Sequence, residues 1–248
     1  MDQPGSALNL FAGPGGWSVA CRTLGIEEDG IENASDALAS REAAGYITVH
    51  DDVRTYDFES GRAYTGLIGS PPCQTFSQAG KGQGRENLDV VLDAVTLIGR
   101  GWWPANLIEQ TGDELTALVL EPLRYALWMK PDWIALEQVP SVLPVWEAYA
   151  TVLRNKGYHV WTGYLHSEQY GVPQTRKRAV LIANLHHEVS MPVPTHSRYH
   201  QREPTRMDPG VKPWVSMAEA LGWDGLRYVV SNYGTGGDPR KRGSPPVP

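Results

Sequence analysis

Cysteine is almost missing from this chain: two residues in 248, Cys21 and Cys73. Two thiols build no disulfide framework, and such sparing use predicts a cytoplasmic protein kept in a reducing compartment. There is no paired Cys-x-x-Cys and no Cys/His spacing that suits a metal, so no metal site is expected. Long apolar runs are also missing. No stretch of 18 or more apolar residues occurs, which excludes a membrane-spanning helix. The first residues, Met1-Asp2-Gln3-Pro4-Gly5, carry no basic-then-apolar leader. Nor is there an excess of positive charge: 22 Lys and Arg face 28 Asp and Glu, for a formal net charge of -6. That average does not advertise a nucleic-acid partner, but it hides an uneven distribution. Basic clusters lie at Arg176-Lys177-Arg178, between Arg198 and Arg206, and at Arg240-Lys241-Arg242, while the acids fall mostly in the first 150 residues. What remains is ordinary for a globular protein, 41% apolar and 20% charged. The nine tryptophans fit a well-filled core with some surface stacking. The length accommodates one large domain, or one domain and a small companion.

The pattern along the chain alternates strands and helices. Strands are predicted at Ala7–Phe11, Gly30–Asn33, Tyr46–Val49, Gly66–Ile68 and Trp133–Leu136, with a later pair at Tyr158–Leu165 and Ala179–Ala183. Helices are predicted at Trp17–Leu24, stopped by Gly25, and at Ala34–Ala44, with Gly45 as its C-cap. Two more are predicted at Leu115–Met129, ended by Lys130-Pro131, and at Val145–Lys156. This alternation argues for a doubly wound, mostly parallel α/β sheet. After about residue 186 the pattern fails and Pro, His, Arg and Gly dominate.

Three constellations carry chemistry. The first is the glycine-rich turn Phe11-Ala12-Gly13-Pro14-Gly15-Gly16, set between a strand and a helix. Such a turn lets a cofactor approach the backbone. Alone it is as often a tight turn and nothing more. Glu32 and Asp52 end the next two strands, placed to meet ribose hydroxyls and an adenine amine, and this tips the reading toward a nucleoside cofactor. No G-x-x-x-x-G-K-[ST] pattern is present, so a triphosphate loop is disfavoured. The second is Ser70-Pro71-Pro72-Cys73-Gln74-Thr75-Phe76-Ser77, after an apolar strand. Two prolines stiffen the loop and hold the thiol in place, as a nucleophile requires. The plain alternative, a small buried filler, suits Cys21 inside its helix better. The third is a strand-end acid, Glu137, with the alternating Gln174, Arg176 and Arg178. Period two places the latter three on one strand face, suited to phosphate or carboxylate binding. Taken singly, a surface carboxylate and a solvated basic strand explain them as well.

Taken together these segments resemble the DNA cytosine carbon-5 methyltransferases. The ordered match runs over roughly residues 7 to 184. It comprises the glycine turn, Glu32, Asp52-Val53, Ser70 to Ser77, Leu136-Glu137-Gln138-Val139 and Gln174 to Arg178. The resemblance implies the Rossmann-like fold of S-adenosylmethionine-dependent methyltransferases, a catalytic domain over residues 1–186, and a loop-rich partial target-recognition region over 187–248. It implies S-adenosylmethionine as cofactor, held by Phe11, Ala12, Gly13, Gly15, Gly16, Glu32, Asn33, Asp52, Val53, Pro72 and Leu118. It implies Cys73 as the nucleophile toward carbon 6 of a cytosine extruded from double-stranded DNA. Glu137 would bind the ring nitrogen N3, and Arg176 and Arg178 would steady the site. Gln74, Ser77, Lys81, Arg85 and Gln174 would meet the DNA. A restriction-modification setting in a bacterial cell or a phage-infected host follows from the same resemblance.

Two departures stand out. The family's usual Glu-Asn-Val is here Glu137-Gln138-Val139, an amide for an amide. The helix with a Gly-Asn-x-Val turn that closes the family's cofactor pocket is not found, and the chain reads as stopping where a recognition region is under way. Three readings stay open: a working DNA methyltransferase with an abbreviated recognition region, the catalytic half of a split enzyme whose partner chain brings the rest, or a remnant that binds without chemistry. RNA methylation by the same fold is disfavoured because no Cys-Phe-Thr tripeptide is present. A redox or hydrolytic role for Cys73 is disfavoured because it has no paired cysteine and no His near it in sequence.

Overall fold

The computed structural model describes residues 5–57, 62–72, 74, 76, 87–104, 109 and 113–223. The chain divides into two compact units, one of residues 1–164 and 179–191, the other of 165–178 and 192–248. The break expected at 186/187 is therefore not where the chain divides: residues 165–178 group with the later segment.

The first unit is built on a seven-stranded sheet. Its strands are β1 (Ser6–Leu10), β2 (Glu27–Ile31), β3 (Ile47–His50), β4 (Gly66–Gly69), β5 (Trp133–Gln138), β6 (His159–His166) and β7 (Lys177–Asn184), in the order β3-β2-β1-β4-β5-β7-β6. Neighbours from β3 through β5 run parallel, and β7 is antiparallel to β5. The helices are α1 (Gly16–Leu24), α2 (Ser35–Ala43), α3 (Leu88–Gly99), α4 (Glu114–Ala117), α5 (Glu121–Met129), α6 (Leu143–Arg154) and, in the second unit, the single-turn α7 (Met217–Ala220). The β1 and β4 strands are buried along their whole length, as expected where a parallel sheet is covered on both faces.

One face carries the main core. Leu8, Leu67, Ile134, Leu136 and Leu181 from the sheet meet Val91 and Val95 of α3, Leu123 of α5 and Trp146 and Tyr149 of α6. The other face packs Ala7, Cys21 and Ile68 with Trp17, Ile26 and Trp133. There α2 is pinned by Arg41, which is fully buried. Its guanidinium donates to Thr48 Oγ1 (3.0 Å), Ser18 Oγ (3.0 Å) and the Ile47 carbonyl (2.7 Å), and it pairs with Glu28 at 3.3 Å. A buried charge so fully bonded holds α1, α2, β2 and β3 in register, because removing one partner strands the other in the interior.

Two elements depart from the periodic reading. The single helix expected over Leu115–Met129 is broken into α4, a 3₁₀ turn at Leu118–Leu120, and α5. Pro122 accounts for the break: it sits in the first turn of α5, a position it suits, and could not continue a helix arriving from Leu115. The helix α3 was not anticipated, although Val91, Ala94, Val95 and Ile98 recur at helical spacing and all four are buried.

Candidate functional site

Sheet register sets up the site. Leu10 pairs with Ile31 and Gly69, Gly69 with Leu136, and Leu136 with Leu181. One step further along the parallel strands come Phe11, Glu32, Ser70 and Glu137, in one row at the carboxyl end of the sheet. Open α/β sheets bind ligands at that end.

The turn after β1 is strained in a specific way. Phe11 has φ 59°, a left-handed backbone rare for a bulky residue. Gly15 has φ 115°, and a Cβ there would lie 2.8 Å from the Tyr46 ring. Glu32 holds the turn: one carboxylate oxygen accepts from Gly13 N–H (2.7 Å), the other from Asn33 N–H (3.0 Å) and Ala34 N–H (2.8 Å). The same side chain thus braces the glycine loop and the two residues that lead into α2. Trp17 Nε1 donates to Ser70 Oγ (2.8 Å), tying α1 to the loop after β4.

A cavity of about 190 Å³ opens beside this turn. It gathers Phe11, Glu32, Asn33, Asp52, Val53, Pro72 and Leu118, seven of the predicted cofactor residues, from five separate parts of the chain. Ala12, Gly13, Gly15 and Gly16 shape the turn and are not among its lining. The cavity adds Ile31, Asp51, Arg54, Glu114 and Leu115, which sequence reasoning did not name. Arg54 follows Asp52 by two residues and was open to notice. Glu114 comes from a distant helix, and nothing in sequence links it to Asp52. Arg54 bonds both Asp52 oxygens, at 3.0 and 2.7 Å, and also pairs with Glu114. Its hydrogen bonds hold the Asp52 carboxyl below the usual aspartate range. The Val53 carbonyl accepts from Tyr125 O–H (2.6 Å) and Arg124 (2.8 Å), fixing that wall.

These residues fit a nucleoside-bearing group. Phe11, Val53, Pro72 and Leu118 give apolar walls for a flat ring, the Glu32 oxygen bonded to Gly13 N–H keeps a lone pair for a hydroxyl, and Asp52, whose two oxygens accept from the Arg54 backbone N–H and guanidinium, would receive an amine in place of part of that set. A wider groove of about 700 Å³, which includes Trp102, Trp103 and Trp128, has no carboxylate in its lining and lacks such chemistry.

Cys73, Ser77, Lys81 and Arg85 lie outside the described residues, and Gln74 is exposed. The residues flanking Cys73 are anchored. Gln138 donates its amide to the Pro71 carbonyl and accepts from Val139 N–H. Phe76 is fully buried, and its carbonyl accepts from Ser141 Oγ at 2.6 Å. Both sides of the cysteine loop are therefore held, one from the last residue of β5 and one from the segment that follows it, and Gln138, the departure from the family pattern, performs the first of the two attachments. Glu137, half-buried, stands on β5 opposite Val180 of β7. Gln174 and Arg176 precede β7, so the expected shared strand face is not formed; of the three, only Arg178 lies in the strand. The strand starts late because the chain leaves the Ser167–Tyr170 3₁₀ turn through Pro173, and the Arg176 carbonyl accepts from Ser167 N–H (2.9 Å) within the second unit. Among the described residues no cluster suits a metal, and no helix is long and apolar enough to cross a membrane.

The model of the family described as C-5 cytosine-specific DNA methylase matches residues 5–98 and 106–220. The Type II methyltransferase M.HgiDI of Herpetosiphon aurantiacus is 26% identical over 194 residues, 74% of this chain and 53% of its own. The Type II methyltransferase M.AplI of Arthrospira platensis is 25% identical over 184 residues, 71% and 44% respectively. The chain thus spans about half the length of the curated relatives it matches. Among solved structures, the Dnmt2 methyltransferase of S. pombe superposes with a TM-score of 0.51 at 21% identity, over 75% of this chain and 51% of that one. The methyltransferase EhMeth of Entamoeba histolytica does so at 0.55 and 16%, over 77% and 57%. At these identities the likeness is one of fold, an α/β sheet of the Rossmann-like type.

Proposed function

The chain belongs to the C-5 cytosine-specific DNA methylase family, and from that premise we propose that it transfers a methyl group from S-adenosylmethionine to carbon 5 of cytosine in double-stranded DNA. The observation that carries this reading is Pro72. It forms part of the cavity wall with Glu32, Asp52 and Val53, and the next residue in the chain is Cys73. Cofactor pocket and nucleophile loop are therefore adjacent by covalent connection.

Bound S-adenosylmethionine would supply an electrophilic methyl group. Phe11, Val53, Pro72 and Leu118 would hold its adenine between apolar walls, Asp52 would accept from the adenine amine, and Glu32 would accept from the ribose. The Cys73 thiolate adds to carbon 6 of a cytosine turned out of the stack. Glu137 holds N3 and gives it a proton, so that electron density collects at carbon 5. After methylation the carbon-5 proton passes to water, the thiolate is expelled as the carbon 5–carbon 6 double bond re-forms, and N3 returns its proton to Glu137. Arg176 and Arg178 would steady the flipped nucleotide.

A second reading, in which a partner chain supplies further parts of the enzyme, draws support from the second sheet face. Trp133, Ala135 and Glu137 of β5 and Ile182 of β7 share that face and are each only partly buried among the described residues, where a doubly wound sheet is ordinarily covered. One experiment separates the readings. The purified chain is incubated with tritium-labelled S-adenosylmethionine and duplex DNA carrying 5-fluorocytosine, whose fluorine cannot leave as the proton does. A covalent, labelled complex that Cys73→Ser abolishes is the expected outcome. Cofactor binding without a complex favours the partner chain, and absence of both refutes the methyltransferase reading.

A further inference from the structure

The second unit contains a cavity of its own, about 800 Å³, between the segment 166–177 and the loop 198–206. The loop is firmly built. Asp208 accepts from Arg198 N–H (2.8 Å) and bonds His200 Nε2 (3.0 Å), while Asp208 N–H donates to the buried Ser197 Oγ (2.8 Å). The facing segment is docked on the same stretch through Thr195 N–H and His196 N–H, both donating to the Gln169 carbonyl at 2.9 and 3.0 Å.

The charges of this cavity are unusual. Lys177, Arg198, Arg202 and Arg206 line it, against only two carboxylates, Glu168 and Glu203. Glu203 lies 3.9 Å from Arg206. Glu168 is different: it is 2% exposed, one oxygen sits 3.7 Å from His166 Nδ1, and the other has no hydrogen-bond partner. Desolvation, with Arg198 and Lys177 nearby, holds the His166 pKa down, so that ring is a weak counter-charge for Glu168. A buried carboxylate oxygen left unpaired costs free energy, and a ligand donor would recover it. A simple anion has no use for Glu168, and a simple cation would be repelled by the four basic side chains. The complementary ligand is anionic at its periphery and offers N–H donors at its centre. A nucleotide within a DNA strand has that arrangement, with phosphates outside and an amino-bearing base edge within.

We propose that this cavity is a base-reading site in which Glu168 accepts from the exocyclic amine of cytosine or adenine while Arg198, Arg202, Arg206 and Lys177 grip the flanking phosphates. The proposal rests on the reading that the chain acts on DNA. Carboxylate acceptance from cytosine N4 is an established mode of direct readout, and both cytosine and adenine display such a donor in the major groove. The four cations give affinity without sequence preference.

The test is selection of bound duplexes from a randomised library by the full chain, its Glu168→Leu variant and an Arg198→Ala/Arg202→Ala variant. Wild type should enrich cytosine or adenine at one position. Glu168→Leu, which keeps no acceptor, should lose that enrichment, on the order of tenfold, with overall affinity nearly kept. The double arginine variant should weaken binding to all sequences alike and flatten its salt dependence. The arginine side chains are exposed, so that variant keeps the proposal testable if Glu168→Leu does not fold. Unchanged base preference in a folded Glu168→Leu, or unchanged affinity in the double variant, overturns the proposal. The 5-fluorocytosine complex, measured on the same wild-type sample, distinguishes the two levels. A complex formed without any base preference beyond the target cytosine sinks the base-reading site alone; no complex and no DNA binding sink both readings.

Discussion

Arg54 is the residue that best shows how this pocket is tuned. Its guanidinium spans Asp52 and Glu114, joining two elements that sequence leaves far apart. Because Asp52 is depressed by that partner, the pair's contribution to stability is present above the ordinary aspartate range, near pH 4. It fades as pH falls through the depressed value. The pair is partly exposed, so its worth is small, but its effect on charge is measurable. With Arg54 replaced by Gln, Asp52 should take up its proton at a higher pH. S-adenosylmethionine affinity, measured by calorimetry between pH 3.5 and 6, should then begin to fall at a higher pH than in wild type. An unchanged midpoint would remove Asp52 from the cofactor site. The acids themselves were legible, Asp52 because it follows the largely apolar Ile47–His50 and Glu32 because it lies in the short segment read as the second strand, although that strand, Glu27–Ile31, is mostly acidic. Arg54, Glu114 and the backbone bonds that occupy Glu32 were not, because side-chain partners across 60 residues leave no local trace.

At the scale of elements, strand identity was readable and strand direction was not. The runs at Ala7, Gly66 and Trp133 each predict a strand, and each forms one. That β7 runs against β5 depends on how the chain returns from β6, which no local pattern encodes. Close approach is likewise invisible until the strands pair. Gly66 lies beside Trp133 in adjacent parallel strands, and a Cβ at Gly66 would fall inside the Trp133 indole. Gly66→Ala should therefore destabilise the chain by about 1–3 kcal/mol through overpacking, read as a lower urea midpoint. Trp133→Leu in the same background should return part of that loss. If Gly66→Ala melts as wild type, the indole has room to move and the packing assigned to this face is wrong. The break between α4 and α5 follows the same lesson: the apolar period continues through it, and only the ring of Pro122 stops the helix.

The whole molecule is assembled from segments that alternate between its two units. The second unit takes 165–178 and then 192–248, with residues 179–191 returning to the first between them. A composition shift near residue 186 points to a single boundary there, since composition senses where regular structure ends and not which segments pack together. Excision of residues 192–223 alone would leave out Glu168 and Lys177 of the proposed base-reading cavity. Chemistry at the level of the entire chain is simpler. It has two thiols; that of Cys21 is buried against Ala7 and Ile68, and desolvation pushes its pKa up to about 11, so at neutral pH it is neither accessible nor ionised. Cys73 is thereby the one thiol expected to react in the native protein. Intact mass after iodoacetamide should show one adduct on the folded chain and two after denaturation, and bound S-adenosylmethionine or DNA should slow the first. The packing of a small side chain on the second sheet face would thus make the unmodified protein a single-site reporter, in which the proposed nucleophile could be titrated, labelled and watched without altering any residue.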